Sequence, residues 1–250
     1  MIAVWVLSKL AVRNLFREKI LYNVLFVAAF LLLLGYFASL LVWGRQDRVL
    51  LHFGTLVNAL ALVGVATGAG TRALRTEIED RTSYLILSRP VHRSAYYVSK
   101  WFGIGIFSFL YAGVLSAFLV AGLKVVGGGG SIGFFQSMGL LWIESLIAAS
   151  IALLLSLFLK PGLSSVSVLA VLFLGHNHEQ LVFLKNKGGS PLLSVLQGIT
   201  PDLSVLLMDT RVYYELPLSA SEFLLRAGYG MGWSLVFVFL GNAVFFRKNL

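Results

Sequence analysis

Between Lys19 and Arg45 the chain runs for 25 residues without a charge. A helix of that length, at about 1.5 Å per residue, exceeds the roughly 30 Å hydrocarbon core of a bilayer. Two more uncharged runs follow: 23 residues between Lys100 and Lys124, and 20 between Arg226 and Arg247. Such runs need a non-aqueous surrounding, and in lipid a helix satisfies every backbone group internally. The composition agrees. Only 12% of residues are charged and 58% are hydrophobic, whereas a soluble domain carries about 25% charged residues. The expected class is therefore an all-α integral membrane protein. The 250 residues form a single membrane domain, with no room for a separate nucleotide-binding fold.

Six spans are expected, at 20–44, 53–71, 101–123, 134–159, 163–183 and 227–246. Residues 3–19 read as an amphipathic helix in the headgroup layer. Lys9, Arg13 and Arg17 recur every four residues on one face, while Trp5, Leu7, Leu10, Leu15 and Phe16 lie largely off it. Anionic lipid is the partner such a face selects. The alternative to this reading is a basic flank that only sets topology. No cleavable signal peptide is expected, since the apolar run after Lys19 is too long for one.

Gly44 to His52 reads as a short polar loop. The second span is rich in small residues suited to close helix contact, and its Asn58 reads as an interhelical hydrogen-bond donor or a pathway residue. The glycines between Val126 and Gly133 read as a surface turn; no Lys-Ser or Lys-Thr follows to make them a phosphate loop. Glu144 stands among apolar neighbours in the fourth span, and an intramembrane carboxylate is a functional candidate. It admits two readings, contact with a pathway or gate, and a packing or interfacial role toward the outer face. The fifth apolar run is short, with only 15 residues between Lys160 and His176, which suggests a broken span followed by a re-entrant or interfacial helix. His176, His178 and Glu179 invite a metal reading, but no second cluster completes a shell. The expected metal count is none. Residues 184–224 are the longest mixed-polarity stretch and read as an outer-face region of short interfacial helices, with Tyr213 and Tyr214 at headgroup level.

The segment 72–100 differs from everything around it. It carries Arg72, Arg75, Glu77, Glu79, Asp80, Arg81, Arg89, Arg93 and Lys100, and a charge at the bilayer centre costs about 3 kcal/mol. It must lie in water between two spans. With six spans, 13 of the 20 Lys and Arg residues fall on its side of the membrane, together with both termini, and 7 on the other. The positive-inside rule puts that side in the cytoplasm of an inner-membrane protein. The same rule accounts for the formal net charge of +9, so nucleic acid is not an expected partner. The chain has no cysteine, which removes disulfides and thiol catalysis.

Glu79-Asp80-Arg81, then Tyr84 through the Ser88-Arg89-Pro90-Val91 turn, then Arg93 and Lys100-Trp101-Phe102-Gly103, resemble the first cytoplasmic loop of type-2 ABC exporter permeases. The basic N-terminus and the Phe-Phe-Arg-Lys-Asn-Leu ending are similar too, and within that family the chain looks closest to the copper-enzyme-maturation and gliding-type group. Where the family carries glycine after Arg-Thr, this chain has Ser83-Tyr84. The resemblance implies a cytoplasmic coupling helix contacted by a separate ATP-binding subunit through Glu77, Glu79, Asp80, Arg81, Thr82, Tyr84, Leu85, Leu87, Arg89, Pro90 and Arg93. It implies no catalytic site and no cofactor in this chain, with ATP and Mg²⁺ held by the partner. It also implies a second permease copy, as homodimer or with a related chain. Physically, a short stiff helix joining two spans conveys motion as a rigid body. Pro90 fixes its backbone, and exposed charges beside apolar anchors suit a docking groove.

Three other readings stand beside this one. An intramembrane enzyme would need a Ser with a facing His, or a metal set; Ser164, Ser165 and Ser167 supply only the first half. An ion-coupled transporter or channel would want repeats and several buried carboxylates. An ABC-type mechanotransmitter would act through residues 184–224 on an outer-face partner protein.

Overall fold

A computed structural model describes residues 2–16, 19–41, 44–75, 92–187, 195, 197–208, 211, 214 and 216–247. Among these the regular elements are all helical. In chain order they are α1 (Ile2–Leu15), α2 (Lys19–Leu40), α3 (Gln46–Ala73), α4 (Arg93–Val125), α5 (Ile132–Ser156), α6 (Pro161–His176), α7 (His178–Asn186), a 3-10 turn (Ser204–Leu206) and α8 (Ala220–Arg247). Four of them, α3, α4, α5 and α8, are long and apolar enough to cross a membrane. Val24–Leu40 of α2 and the whole of α6 are shorter apolar stretches. The chain is thus a helical membrane protein.

α5 is the axis. It is apolar on every face, the pattern of a helix enclosed by others, and Leu140, Ile147, Ala148, Ala149, Ala152 and Leu153 have no exposed surface. Ser131 starts it, its hydroxyl accepting from the Phe134 amide at 3.3 Å. α3, α4, α6 and α8 pack around it.

The α3–α5 contact is made by small side chains, because lipid supplies no hydrophobic drive between helices and close approach must replace it. A Cβ on Gly70 would lie 2.6 Å from Ala152 Cβ and 3.1 Å from the Ala149 carbonyl oxygen. Neither neighbour can swing aside. Gly70→Leu should therefore destabilise the domain by about 3 kcal/mol, read as a lower unfolding temperature in detergent. Gly64 faces open space on the same helix, so Gly64→Ala should leave that temperature level or raise it, as helix propensity dictates.

α3 begins earlier than its apolar run. The expected loop 44–52 is helical from Gln46 onward, after Gly44 turns the chain at φ +93°. Burial explains the difference: Leu50 and Leu51 are 2% and 4% exposed, and Asp47 in the first turn complements the helix dipole.

α1 docks on α4 rather than resting in lipid alone. Ser8, Ala11 and Leu15 form its buried side. The Ser8 hydroxyl donates to the Ser99 carbonyl at 3.1 Å, Gly103 sits against Ala11, and Phe16 meets Phe107 edge-on at 4.8 Å. Trp5, Leu10, Lys9 and Arg13 are exposed.

α8 closes the other flank. Ser219 and Glu222 form a capping box at its start, each accepting from the other's backbone amide at 3.3 Å. Ser234 donates to the Leu146 carbonyl of α5 at 3.1 Å. Further on, Phe245 is fully buried against Tyr96 and Tyr97 of α4, and Gly241 leaves room for the Tyr97 ring.

Candidate functional sites

The charged loop is framed on both sides by helices. α3 continues to Ala73 and Leu74 is 1% exposed. α4 starts at Arg93 and, at 33 residues, is about 50 Å long, well beyond a hydrocarbon core. Arg93 is half-buried at its first position. Tyr96, Tyr97 and Ser99 are buried within its first two turns. Lys100 does not lie in open water as expected. It is 8% exposed, and its ammonium sits 5.3 Å from the Tyr96 ring centroid, a cation–π arrangement. Glu77, Glu79, Asp80, Arg81, Thr82, Tyr84, Leu85, Leu87, Arg89 and Pro90 lie outside the described residues.

A second site lies inside the helices. Glu144 is the thirteenth residue of the 25 in α5, at mid-helix. It is 2% exposed. Its Oε1 lies 3.4 Å from His176 Nε2. His176 ends α6, and its Nδ1 lies 3.0 Å from the Leu172 carbonyl in its own last turn. α6 packs on α5 after the Lys160-Pro161 corner and stops at this level, where the Phe173 carbonyl accepts from Asn177 and the Gly175 carbonyl from the Leu203 amide.

The chain then breaks at Asn177 and α7 departs. A later segment returns to the break. The Leu203 amide donates to the Gly175 carbonyl at 3.1 Å, and Thr200, Leu203, Leu206 and Met208 are buried. Asp202 Oδ1 accepts from the amide and hydroxyl of Ser204 at 3.0 and 2.6 Å. The Asp202 amide donates to the Tyr229 hydroxyl of α8 at 2.8 Å, and Arg226 donates to the Val205 carbonyl at 2.9 Å. Gly230 of α8 gives Ile143 and Leu206 room to meet. Part of the expected outer-face stretch is therefore packed between helices. Apolar Leu203 and Leu206 cover what the short α6 leaves open. Tyr214 and Leu216 are exposed; Tyr213 is outside the described residues.

Asn58 is fully buried on α3, and its side-chain amide donates to Met138 Sδ of α5 at 3.5 Å. It links α3 to α5, while Glu144 links α5 to α6. The two are in different interfaces. The serines at the start of α6 make local contacts: Ser165 and Ser167 donate to the Pro161 and Leu163 carbonyls, and Ser164 Oγ is buried without a hydrogen-bond partner. Thr71 and Ser165 hydroxyls meet at 3.3 Å between α3 and α6. His92 is exposed. Among the described residues, no group of three His, Cys, Asp or Glu side chains could hold a metal ion.

The Glu144–His176 pairing has a signal in the sequence that residue-by-residue reading passes over. Glu144 precedes Lys160 by 16 residues and His176 follows it by 16. A helical hairpin turning at Lys160-Pro161 brings equal offsets to equal depth. No protein-family model matches the chain, and no curated protein matches it.

Proposed function

We propose that this chain is the membrane subunit of an ATP-driven ABC transporter of the type-2 exporter kind. It hydrolyses nothing itself. A separate ATP-binding subunit, carrying ATP and Mg²⁺, grips segment 72–100 from the cytoplasm, where both termini also lie in the inner-membrane orientation. A second copy or a related chain completes the pathway, and movement serves substrate export or a conformational change at the outer face.

The observation that carries this reading is the placement of the charged segment. It joins the ends of two long apolar helices, and the second of these is clamped to α1 through Ser8–Ser99 and Ala11–Gly103. A push on the segment would tilt α4 and carry α1 with it, while α3 transmits the same push to α5 through the Gly70–Ala152 contact. Affinity purification of the chain from native membranes under mild detergent tests the reading. An ATP-binding-cassette chain in the eluate is the expected result; a chain that elutes without one contradicts it.

A second reading, ion-coupled transport, is favoured by one feature, the intramembrane Glu144–His176 pair at a helix break. Uptake or efflux in reconstituted vesicles driven by a proton gradient, without ATP, would replace the first reading with this one. In the mechanotransmitter variant, residues 200–208 are largely packed inside, and the exposed apolar residues among those described in 184–224 include Leu184, Val195, Ile199, Tyr214, Leu216 and Leu224.

A further inference from the structure

Between α4 and α5 the helices part to leave a groove of 430 Å³. Phe109, Gly113, Ala117 and Val120 form its α4 wall, at spacings that keep one helix face. Phe135 and Trp142 stand on its α5 wall. Trp142 is held at one end: its Nε1 donates to the Gly105 carbonyl at 3.0 Å, and Phe109 meets its ring edge-on at 5.4 Å. The glycine turn closes the other end, where a Cβ on Gly130 would lie 3.2 Å from the Phe135 ring and 3.4 Å from Val120. Among the described residues, no charged side chain lines the groove.

Lys124 stands four residues beyond Val120, on the same stripe and next to last in α4, and it is exposed. We propose that this groove is a phospholipid site, taking one acyl chain of an anionic lipid against Gly113 and Trp142 with the lipid phosphate on Lys124. The groove supplies hydrocarbon contact and the lysine supplies the charge that an anionic headgroup seeks. Shape favours a chain over a helix. From Phe109 to Val120 the groove runs about 16 Å, which gives a mean section of about 27 Å². A helix 10 Å wide needs roughly 80 Å². Because α4 starts at the charged segment and ends at Lys124, the lipid belongs to the leaflet away from residues 72–100.

The charges around that end favour an anion. α3 begins beside the glycine turn, where a Cβ on Gly128 would lie 3.0 Å from Asp47 Cβ. Arg45 and Arg48 flank that aspartate in sequence, so one carboxylate stands with three cations, Lys124 included. On α8, Phe223 reaches toward Gly139, and its neighbour Glu222 pairs with Arg211. A second apolar groove, of 520 Å³ between α2 and α4, serves as the comparison. The α4 residues lining it, Phe118, Gly122 and Val125, lie on the side of α4 away from Lys124. It offers the hydrocarbon surface without the cation. The lipid site needs no ATP-binding partner, so it goes beyond the transporter reading and does not depend on it.

The test titrates the purified chain, in mild detergent, with phosphatidylglycerol or phosphatidylcholine brominated on one acyl chain. Bromine quenches tryptophan fluorescence on contact, and the part of the quenching lost with Trp142→Phe is the groove's own signal. That signal should reach its midpoint at about fivefold less phosphatidylglycerol than phosphatidylcholine, the contribution of one lysine beside an anionic headgroup. Lys124→Gln should abolish the difference. Gly113→Leu should weaken phosphatidylglycerol binding at least about tenfold by filling the groove, without disturbing the fold, since a Cβ at Gly113 meets no atom within 4 Å. Ala29→Leu, in the comparison groove, should change neither result. Equal midpoints for the two lipids overturn the proposal, as does a difference that survives Lys124→Gln, or binding to Gly113→Leu equal to the parent's. A Trp142 signal blind to both brominated lipids also overturns it, and a dimer that Gly113→Leu dissociates would then give the groove to a second copy. If Gly113→Leu does not fold, Ala117→Leu fills the same groove with the same criteria.

Discussion

Replacing Glu79, Asp80 and Arg81 together by alanine should cut the ATP-binding chain recovered with this protein by at least about tenfold, with membrane insertion unchanged. The three residues carry two negative charges and one positive in adjacent positions, and they sit in a segment too polar for hydrocarbon. A docking surface of this size depends on a few anchors, whose removal costs more than 1 kcal/mol each. Charge removal should act mainly on encounter and salt dependence, whereas Tyr84→Ala and Leu85→Ala, which remove apolar anchors, should speed dissociation. Quantitative immunoblotting of the eluate against a membrane-fraction control checks this. Recovery equal to the parent's would leave the segment as a solvated loop that only sets topology.

His176→Leu should lower the unfolding temperature of the purified protein by about 5 °C, the equivalent of about 2 kcal/mol in a domain of this size. The leucine fills the space but leaves the Glu144 carboxyl at 2% exposure without the imidazole beside it. Stripping one member from a fully buried pair costs about 3–5 kcal/mol; the partial exposure of His176 places this case lower. Adding Glu144→Leu should then recover most of the loss, because two apolar side chains at these positions satisfy each other. A thermal melt of the parent, the single and the double variants reads the cycle. Equal melting temperatures for the parent and His176→Leu would show that the pair contributes nothing to the fold.

The membrane character and the long apolar helices were legible because hydrocarbon imposes a length and a charge limit that few sequences meet by chance. Helix ends were less so. Gln46 to His52 looks like a loop because its polarity is high, yet the helix is set by Leu50 and Leu51 reaching the core. Lys100 looks solvated by type; Tyr96 stands one helical turn before it, so α4 itself sets the ring near the ammonium, and only the tertiary packing buries the two. Polarity along residues 184–224 likewise hid the burial of Leu203 and Leu206, which depends on α6 being short. Glu144 and His176 could each be singled out as unusual. Their partnership needs a hairpin at Lys160-Pro161, a tertiary fact that the equal spacing only suggests.

The account turns on which side of the membrane the segment between α3 and α4 faces, and on what covers it there. Thr82→Cys, in a chain with no other cysteine, places one reactive thiol in the middle of that segment. An impermeant maleimide should label it in inverted vesicles and not in intact cells, and labelling in the vesicles should fall when the ATP-binding chain is restored at saturating amounts. Labelling of Thr82→Cys from the outside of intact cells would contradict the account outright.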